Sequence, residues 1–258
     1  FLFLIVTKMA CRPAHICVSS LHLSLSELLA QAGLDICVPF NLGRYNEVAP
    51  EKARIDSCRF SVGDSTLGFL FGNTKRMWPK FIHACKDSNA LMDAANPLDT
   101  YVKKSVGAAV AAAHDSCAFK CVTYWSNDKH DDLAGGPGYV AIQKLAAGLG
   151  MCYLEENSHL CIHPEYGSWF SLRGYCLFDG LAFPERKWSS LENPLTSEQK
   201  QRVRLALEEA LSPSDTSGGI IGLSLHLPQR TSMRGLRNIH CHLGSLRFVL
   251  ASLGSPHS

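Results

Sequence analysis

The segment from Leu160 to Phe178 constrains this chain more than any other. Leu160 to His163 is a short β-forming run, Pro164-Glu165-Tyr166-Gly167 is a turn, and Ser168 to Phe178 is a longer strand. Two β-runs joined through a tight turn predict an antiparallel hairpin. Elsewhere strands and helices alternate without a regular βαβ repeat. That pattern predicts an α+β domain, with one mixed or antiparallel sheet and helices packed against it.

The remaining elements follow from periodicity and capping. Leu21 to Ala32 carries leucines at 21, 25, 28 and 29 on one helical stripe, and Gly33 stops it. Asp35 to Phe40 and Thr66 to Phe71 read as strands, with a turn-rich stretch from Asn41 to Pro50 between them. Thr74 to Lys86 is helical, and Pro79 restricts its start. Asn96-Pro97 is an N-cap followed by proline at the first helical position, so a helix runs from there to about Ala113. Ala118 to Trp125 is a strand and Asn127 to Gly138 a loop. Tyr139 to Glu155 places Ile142, Leu145, Leu149 and Tyr153 on a helical stripe. Thr196 and Gln199 form a capping box for a last helix reaching Leu211.

Composition removes several classes of function. The 25 basic and 23 acidic residues leave a formal charge of +2, without the basic field of a nucleic-acid binder. No apolar run approaches the ~18 residues of a membrane span. The 11 cysteines are odd in number and include no CxxC, so neither a disulfide scaffold nor a zinc ribbon is indicated. Scattered free thiols suit a reducing, cytoplasmic setting, most of them serving as small buried hydrophobes. Phe1 to Val6 lacks the charged n-region of a secretory signal and is too short for its apolar core, so it is read as translated upstream or incomplete sequence, with Met9 a candidate start. Thr216 to Ser258 has no clear period and reads as a disordered or alternative tail. Its His240-Cys241-His242 run cannot converge on one ion in a strand, because alternate side chains oppose each other.

The densest chemistry lies between Leu145 and Gly174. Gly148 and Gly150 fall inside a helical pattern, where each costs ~1 kcal/mol against alanine. They serve either close helix packing or clearance for a bulky ligand. Alternation along the long strand groups Phe170, Leu172, Cys176 and Phe178 on one face, and Trp169, Ser171, Arg173 and Tyr175 on the other. An arginine among aromatics in mid-strand either clamps a carboxylate or phosphate ligand or pairs with an acidic side chain in the core. Cys161 and His163 share a face and are too few to hold a structural zinc. As a thiol–imidazole pair they are weighed against the commoner fate of a strand cysteine, inert filler. No GxSxG, HExxH, P-loop or EF-hand pattern occurs.

The run Cys161-Ile-His-Pro-Glu-Tyr-Gly-Ser-Trp-Phe-Ser-Leu-Arg-Gly174 resembles the C-I-H-P-x-[FY]-G-x-W-F-x-[IL]-R-G stretch of the CblC family of intracellular cobalamin-processing proteins. Pro39-Phe-Asn-Leu-Gly-Arg-Tyr-Asn46 resembles that family's P-F-x-x-G-W-Y-N segment, and the likeness extends over roughly residues 25 to 180. It implies a flavin-reductase or nitroreductase-like α+β fold. It also implies removal of the upper axial ligand of cobalamin, with flavin (FMN or FAD) electrons for decyanation and glutathione thiolate for dealkylation. Residue by residue, it assigns cobalamin contacts to Tyr124, Val140, Ala141, Ile142, Gln143, Leu154, Glu155, Glu156, Cys161 and Leu172. Arg173 corresponds to the arginine of the glutathione and redox pocket. The two helix glycines would then make room for a corrin. A cobalamin-trafficking partner and a ligand-dependent homodimer belong to the same expectation. The chain is read as a cobalamin-processing domain at 20–211, with uncertain or disordered termini at 1–19 and 212–258.

The sequence departs from the family at two of these positions: Arg44 stands where the family has tryptophan, and Ala147 where it has histidine. The pattern is also similar to the cobalamin domain of epoxyqueuosine reductases. Their ferredoxin-like cysteine runs do not occur in this sequence. The chain could also be a non-catalytic cobalamin chaperone or an inactive truncated product, and composition does not separate either from an enzyme.

Overall fold

A computed structural model describes residues 18–115 and 119–211. The start at Met9, the tail from Thr216 and its His240-Cys241-His242 run lie outside the described residues. In chain order the elements are α1 (Val18–Gln31), β1 (Ile36–Asn41), α2 (Leu42–Val48), β2 (Thr66–Thr74), α3 (Met77–Asp87), α4 (Asn89–Met92), α5 (Pro97–Asp115), β3 (Lys120–Trp125), α6 (Ile142–Gly148), β4 (Tyr153–Glu155), β5 (Leu160–Ile162), β6 (Phe170–Ala182) and α7 (Ser197–Leu211). Four strands form one sheet in the order β1-β2-β6-β3, with every neighbouring pair antiparallel. β4 and β5 form a separate two-stranded ladder. The architecture is the α+β class that the sequence predicts, and its main sheet is antiparallel throughout.

Helices cover both faces of the sheet, because the strands carry apolar side chains on both. One core gathers Phe40, Leu70, Tyr124, Tyr175 and Leu177 from the strands with Leu42 and Tyr45 of α2 and Leu145 of α6. The other gathers Leu67, Phe69, Phe71, Cys176 and Phe178 with Leu25 and Leu29 of α1 and Val102 and Val106 of α5.

Local chemistry explains the helix ends. The Asn96 side chain accepts from the Asp99 N–H at 3.3 Å and donates back to its carboxylate at 2.5 Å, closing the first turn of α5. Thr196 and Gln199 make the reciprocal capping box of α7, at 3.2 and 2.9 Å. After α1, Gly33 at φ +79° donates to the Ala30 carbonyl and Leu34 donates to that of Leu29, which is a Schellman closure.

Four expectations change. The Asn41–Pro50 stretch contains α2, because the Asn41 side chain caps it by accepting from the Arg44 N–H at 2.8 Å, while Leu42 and Tyr45 are buried. The helix expected over 139–155 is confined to Ile142–Gly148. Gly150, at φ +67°, ends it in a second Schellman closure, with Gly150 donating to Ala147 and Met151 to Ala146, and the chain then enters β4. β5 pairs with β4 rather than with β6, and only a bridge between His163 and Gly167 spans the Pro164 turn. Finally, β6 contains a bulge at Arg173. Leu172 pairs with Gly72 and Gly174 with Phe71, so Arg173 is the extra residue. The face assignment therefore changes across it: Phe170 and Leu172 lie with Tyr175 and Leu177, and not with Cys176 and Phe178.

A pair of glycine substitutions tests this description. A Cβ on Gly33 would sit 2.5 Å from the Met77 Cα, at a positive φ. Gly33→Ala is expected to destabilise by more than about 1 kcal/mol. Gly107, inside α5 with nothing within 4 Å of its would-be Cβ, is the opposite case. Gly107→Ala is expected to stabilise by roughly 0.5–1 kcal/mol. Urea denaturation of both variants checks the signs.

Candidate functional site

The α2 and α6 side of the sheet carries a cluster of tyrosines. The Tyr175 ring lies 5.2 Å from Tyr45 and 5.2 Å from Tyr124, stacked on the latter. Tyr45 donates to the Ala53 carbonyl at 2.7 Å and accepts from the Ala141 N–H at 3.2 Å, which ties the start of α6 to α2. Tyr124 donates to Asp132 Oδ2 at 2.6 Å, and Arg59 reaches the same oxygen at 2.5 Å. Burial and the Asp132 carboxylate both push the Tyr124 hydroxyl up. For Asp132, burial acts upward but is outweighed by the Tyr124 and Arg59 hydrogen bonds, and the carboxyl lies below its ordinary value. The Tyr175 hydroxyl is buried, close enough to Tyr45 to interact, and makes no hydrogen bond of ordinary geometry.

Around this cluster the structure brings together most of the residues that the sequence singles out. Tyr124, Val140 and Ile142 belong to the core on this side, and Ala141, Cys161 and Leu172 pack against it. Gln143 lies at the rim and donates to the His159 carbonyl at 2.7 Å. Leu154 pairs with Cys161 across the β4–β5 ladder. Glu155 is buried at the end of that ladder, where it accepts from Asn157 and from the N–H and hydroxyl of Ser158. Glu156 is exposed. An open cleft of about 400 Å³ separates Glu155, Asn157 and Ser158 from Lys200, Gln201 and Arg204 of α7.

Two readings of local chemistry are resolved. His163 Nδ1 accepts from the Glu165 and Tyr166 N–H groups at 3.0 and 3.3 Å, and its ring stacks on Tyr166. The imidazole is a staple of the Pro164 turn, and desolvation lowers its pKa. Cys161 instead neighbours Cys152, and its thiol is pushed far up by that contact and by burial. A nucleophilic Cys161–His163 pair is not formed. The clearance expected beside the helix glycines is also filled by the chain. A Cβ on Gly148 would meet Val48 Cγ1 at 2.7 Å, and one on Gly150 would meet the Ser189 carbonyl at 2.3 Å.

Arg173 stands apart from the other candidates. The bulge turns it toward the α5 side, where its Nε donates to Asn73 Oδ1 at 2.7 Å. Asp99 lies in the same polar nest, its Oδ2 accepting from Asn96 and Asn127. Burial lowers the guanidinium pKa and the Asp99 charge raises it. Asp99 is raised by burial and lowered by Arg173 and Lys103. For the core-pairing alternative, Arg173 has an amide partner in Asn73 and the Asp99 charge acting on it without a direct ion pair. Sequence reasoning missed Asn73 and Asp132, because each meets its partner only through tertiary contact. It also left Arg44 without a role: Nε and Nη2 donate to the Gly148 carbonyl at 3.1 and 2.5 Å, capping α6.

With this geometry in view, the comparisons with known proteins point one way. The chain is 24% identical over 176 residues to the human cyanocobalamin reductase / alkylcobalamin dealkylase, across 65% of this chain and 60% of the human protein. It therefore spans about 60% of the length of the curated relative it matches. No family model matches. The crystal structure of the C. elegans B12-trafficking protein CblC, a human MMACHC homologue, aligns with a TM-score of 0.56 at 16% identity, covering 74% of this chain and 80% of that one. The fold is CblC-like. No helix among the described residues is long and apolar enough to cross a membrane.

The Asp132 network predicts a pH dependence. The folded-state pKa of Asp132 is depressed, so its contribution to stability is complete above the unfolded value of about 3.9 and is lost as pH falls through the folded value. Asp132→Asn is expected to cost about 1–2 kcal/mol at pH 7, discounted for the exposed Arg59 partner. The difference from wild type should shrink below about pH 4. Thermal melts from pH 7 to pH 3 measure both effects.

Proposed function

We propose that this protein binds cobalamin and removes its upper axial ligand. The observation that supports this reading best is a convergence. Val140 to Ile142 and the Cys161–Leu172 segment are distant in sequence, yet they meet on one side of the sheet. They are the segments through which the chain resembles CblC proteins, and the named human relative and the CblC-like fold agree with that resemblance.

In this reading cobalamin is the substrate, and its cobalt carries the redox chemistry. The chain binds the corrin against the α6 and β4–β5 side and limits water around it. Val140, Ala141, Ile142, Gln143, Leu154, Glu155, Glu156, Cys161, Leu172 and Tyr124 are the proposed contacts. Cyanocobalamin would lose cyanide reductively, and alkylcobalamins would lose their alkyl group to glutathione thiolate. Flavin enters as a source of electrons. The clearance that the resemblance assigned to the corrin beside Gly148 and Gly150 is occupied by Val48 and Ser189, so the corrin contacts proposed here lie elsewhere on this side. No step is assigned to a flavin-binding residue of this chain. Arg173 is proposed as the glutathione contact through its two terminal nitrogens, Nε being engaged by Asn73. The free thiols among the described residues suit a reducing, cytoplasmic setting.

That the C. elegans CblC is a B12-trafficking protein favours a second reading, a carrier that binds cobalamin without turnover. A visible spectrum decides between them. Mixing with cyanocobalamin should give the base-off form, and adding reduced flavin without oxygen should give cob(II)alamin. Base-off binding without cob(II)alamin identifies the carrier, and absence of any spectral change rejects cobalamin binding. Arg173→Lys keeps the charge and loses the planar fork. It should weaken the glutathione dependence of dealkylation by about one to two orders of magnitude while cobalamin binding changes less. If only the melting temperature falls, Arg173 is a structural partner of Asn73 and Asp99.

A further inference from the structure

The first two turns of α5 face the bulge of β6 and the loop that follows β3. Asp99 and Lys103 are one turn apart on that helix, and both reach the loop. The Asn96 and Asn127 amides each donate to Asp99 Oδ2 at 2.5 Å. Lys103 Nζ pairs with Asp128 Oδ2 at 2.6 Å and lies 5.7 Å from the centre of the Trp125 ring. Ser126, beside Asn127, holds the backbone of the bulge, so the carboxylate of α5 and the guanidinium of β6 come to one nest. The Asp99 charge acts on Arg173, yet no direct ion pair joins them. Each keeps an unengaged end. The hydrogen bonds of the Asp99 carboxylate all fall on Oδ2, and Arg173 uses Nε alone, on Asn73 Oδ1 at 2.7 Å. Among the described residues the Tyr175 hydroxyl is the one fully enclosed side-chain atom without a partner. Asp99 Oδ1 and the two terminal nitrogens of Arg173 therefore open onto accessible space. A desolvated guanidinium and carboxylate that sit close without pairing forgo the attraction that would offset their burial. The gap between them is complementary to a ligand that presents a carboxylate and an ammonium side by side. A simple anion such as phosphate suits it less well, because Asp99 opposes it.

We propose that Asp99 and Arg173 together bind the α-amino-acid head group at the γ-glutamyl end of glutathione, with Arg173 taking its carboxylate and Asp99 Oδ1 its ammonium. This rests on the reading of Arg173 as the glutathione contact, and adds which end of the tripeptide it holds and a residue that selects that end. Glutathione has a carboxylate at each end, but only the γ-glutamyl carboxylate has an ammonium on the neighbouring carbon. The glycyl end would set a carboxylate on Arg173 and leave Asp99 with nothing to accept from, beside a like charge. The planar fork of Arg173 still has both terminal nitrogens for a two-pronged bond to a carboxylate. The two asparagine amides fix the Asp99 carboxylate by one oxygen and leave the other presented. Lys103 is already matched by Asp128, so Arg173 and Asp99 are the charges left for the ligand, and they suit a head group of no net charge.

The test is calorimetric titration of the full reduced chain, alone and with saturating cyanocobalamin. The probe is S-methylglutathione, whose blocked thiol removes turnover from the measurement. Wild type should bind it about tenfold or more tightly than N-acetyl-S-methylglutathione, in which a neutral amide replaces the ammonium. γ-Glutamyl-S-methylcysteine, which lacks the glycine, should lose less. Asp99→Asn keeps an acceptor for Asn96 and Asn127 and removes the charge. It should bring the free and acetylated compounds to within about twofold of each other, because the lost charge-assisted bond is the one that told them apart. Arg173→Lys should weaken both. A purely structural role for Asp99 would not move this ratio, and a melting temperature for each variant confirms folding. If Asp99→Asn does not fold, the two ligands on wild type decide the matter alone. Equal affinity of wild type for the free and acetylated compounds overturns the role of Asp99 and leaves the Arg173 contact standing. Glutamate binding as tightly as S-methylglutathione overturns the assignment to the tripeptide. Binding of none of these compounds, with or without cobalamin, overturns the glutathione reading and this proposal with it.

Discussion

The bulge at Arg173 in β6 is the constraint on which the rest of the molecule is registered. β6 is hydrogen-bonded to β2 along one edge and to β3 along the other, and it contributes side chains to both cores. One extra residue in such a strand changes the face of everything beyond it. Here it puts Leu172 on the same side as Tyr175, facing α6 and the β4–β5 ladder, and sends the guanidinium to the α5 side. Ser126 secures the bulge from β3, its N–H on the Arg173 carbonyl at 2.9 Å and its hydroxyl on the Leu172 carbonyl at 3.2 Å.

The same element explains why the two halves of the candidate site differ in character. The α6 side is mainly apolar, and its buried polar groups include the tyrosine hydroxyls with the backbone groups they serve and the Glu155 carboxylate with its Asn157 and Ser158 donors. The α5 side of the bulge is a nest of Asn73, Asn96, Asp99 and Asn127, in which a charged guanidinium is tolerable because the Asn73 amide oxygen accepts from it and the Asp99 charge acts on it. An arginine on the apolar side would have left its charge without such partners. The segregation is a consequence of where the bulge falls, and it divides the residues assigned to cobalamin from the one assigned to glutathione.

Helix α6 shows how closely the chain fills its own interior. It is seven residues long, starts where Ala141 donates to the Tyr45 hydroxyl, and ends where Arg44 caps the Gly148 carbonyl. Both ends are therefore held by α2, and Gly148 lets the two helices approach to where a Cβ would touch Val48. Arg44 supplies charged donors to a helix C-terminus, the place where a cation is favourable.

How much of the fold and the site is legible in the sequence depends on whether the signal is local. The capping pairs Asn96/Asp99 and Thr196/Gln199, the glycine after α1 and the β-runs at 66–71 and 118–125 act within a few residues, and the sequence determines them by itself. The α+β class follows from their order. Tertiary structure alone decides what depends on a distant partner. The apolar stripe that continues past Gly150 to Tyr153 is taken up by β4, which pairs with β5. The Leu160 run finds its partner in Tyr153–Glu155 rather than across the Pro164 turn, and strict alternation fails at Arg173 because Gly72 and Gly174 pair around it. The candidate cobalamin residues are recognised through resemblance, yet their meeting around Tyr124 and Tyr175 is a property of the folded sheet. A sequence carries propensity along the chain; which side chains share a face is fixed only when hydrogen-bonded register and burial are satisfied together.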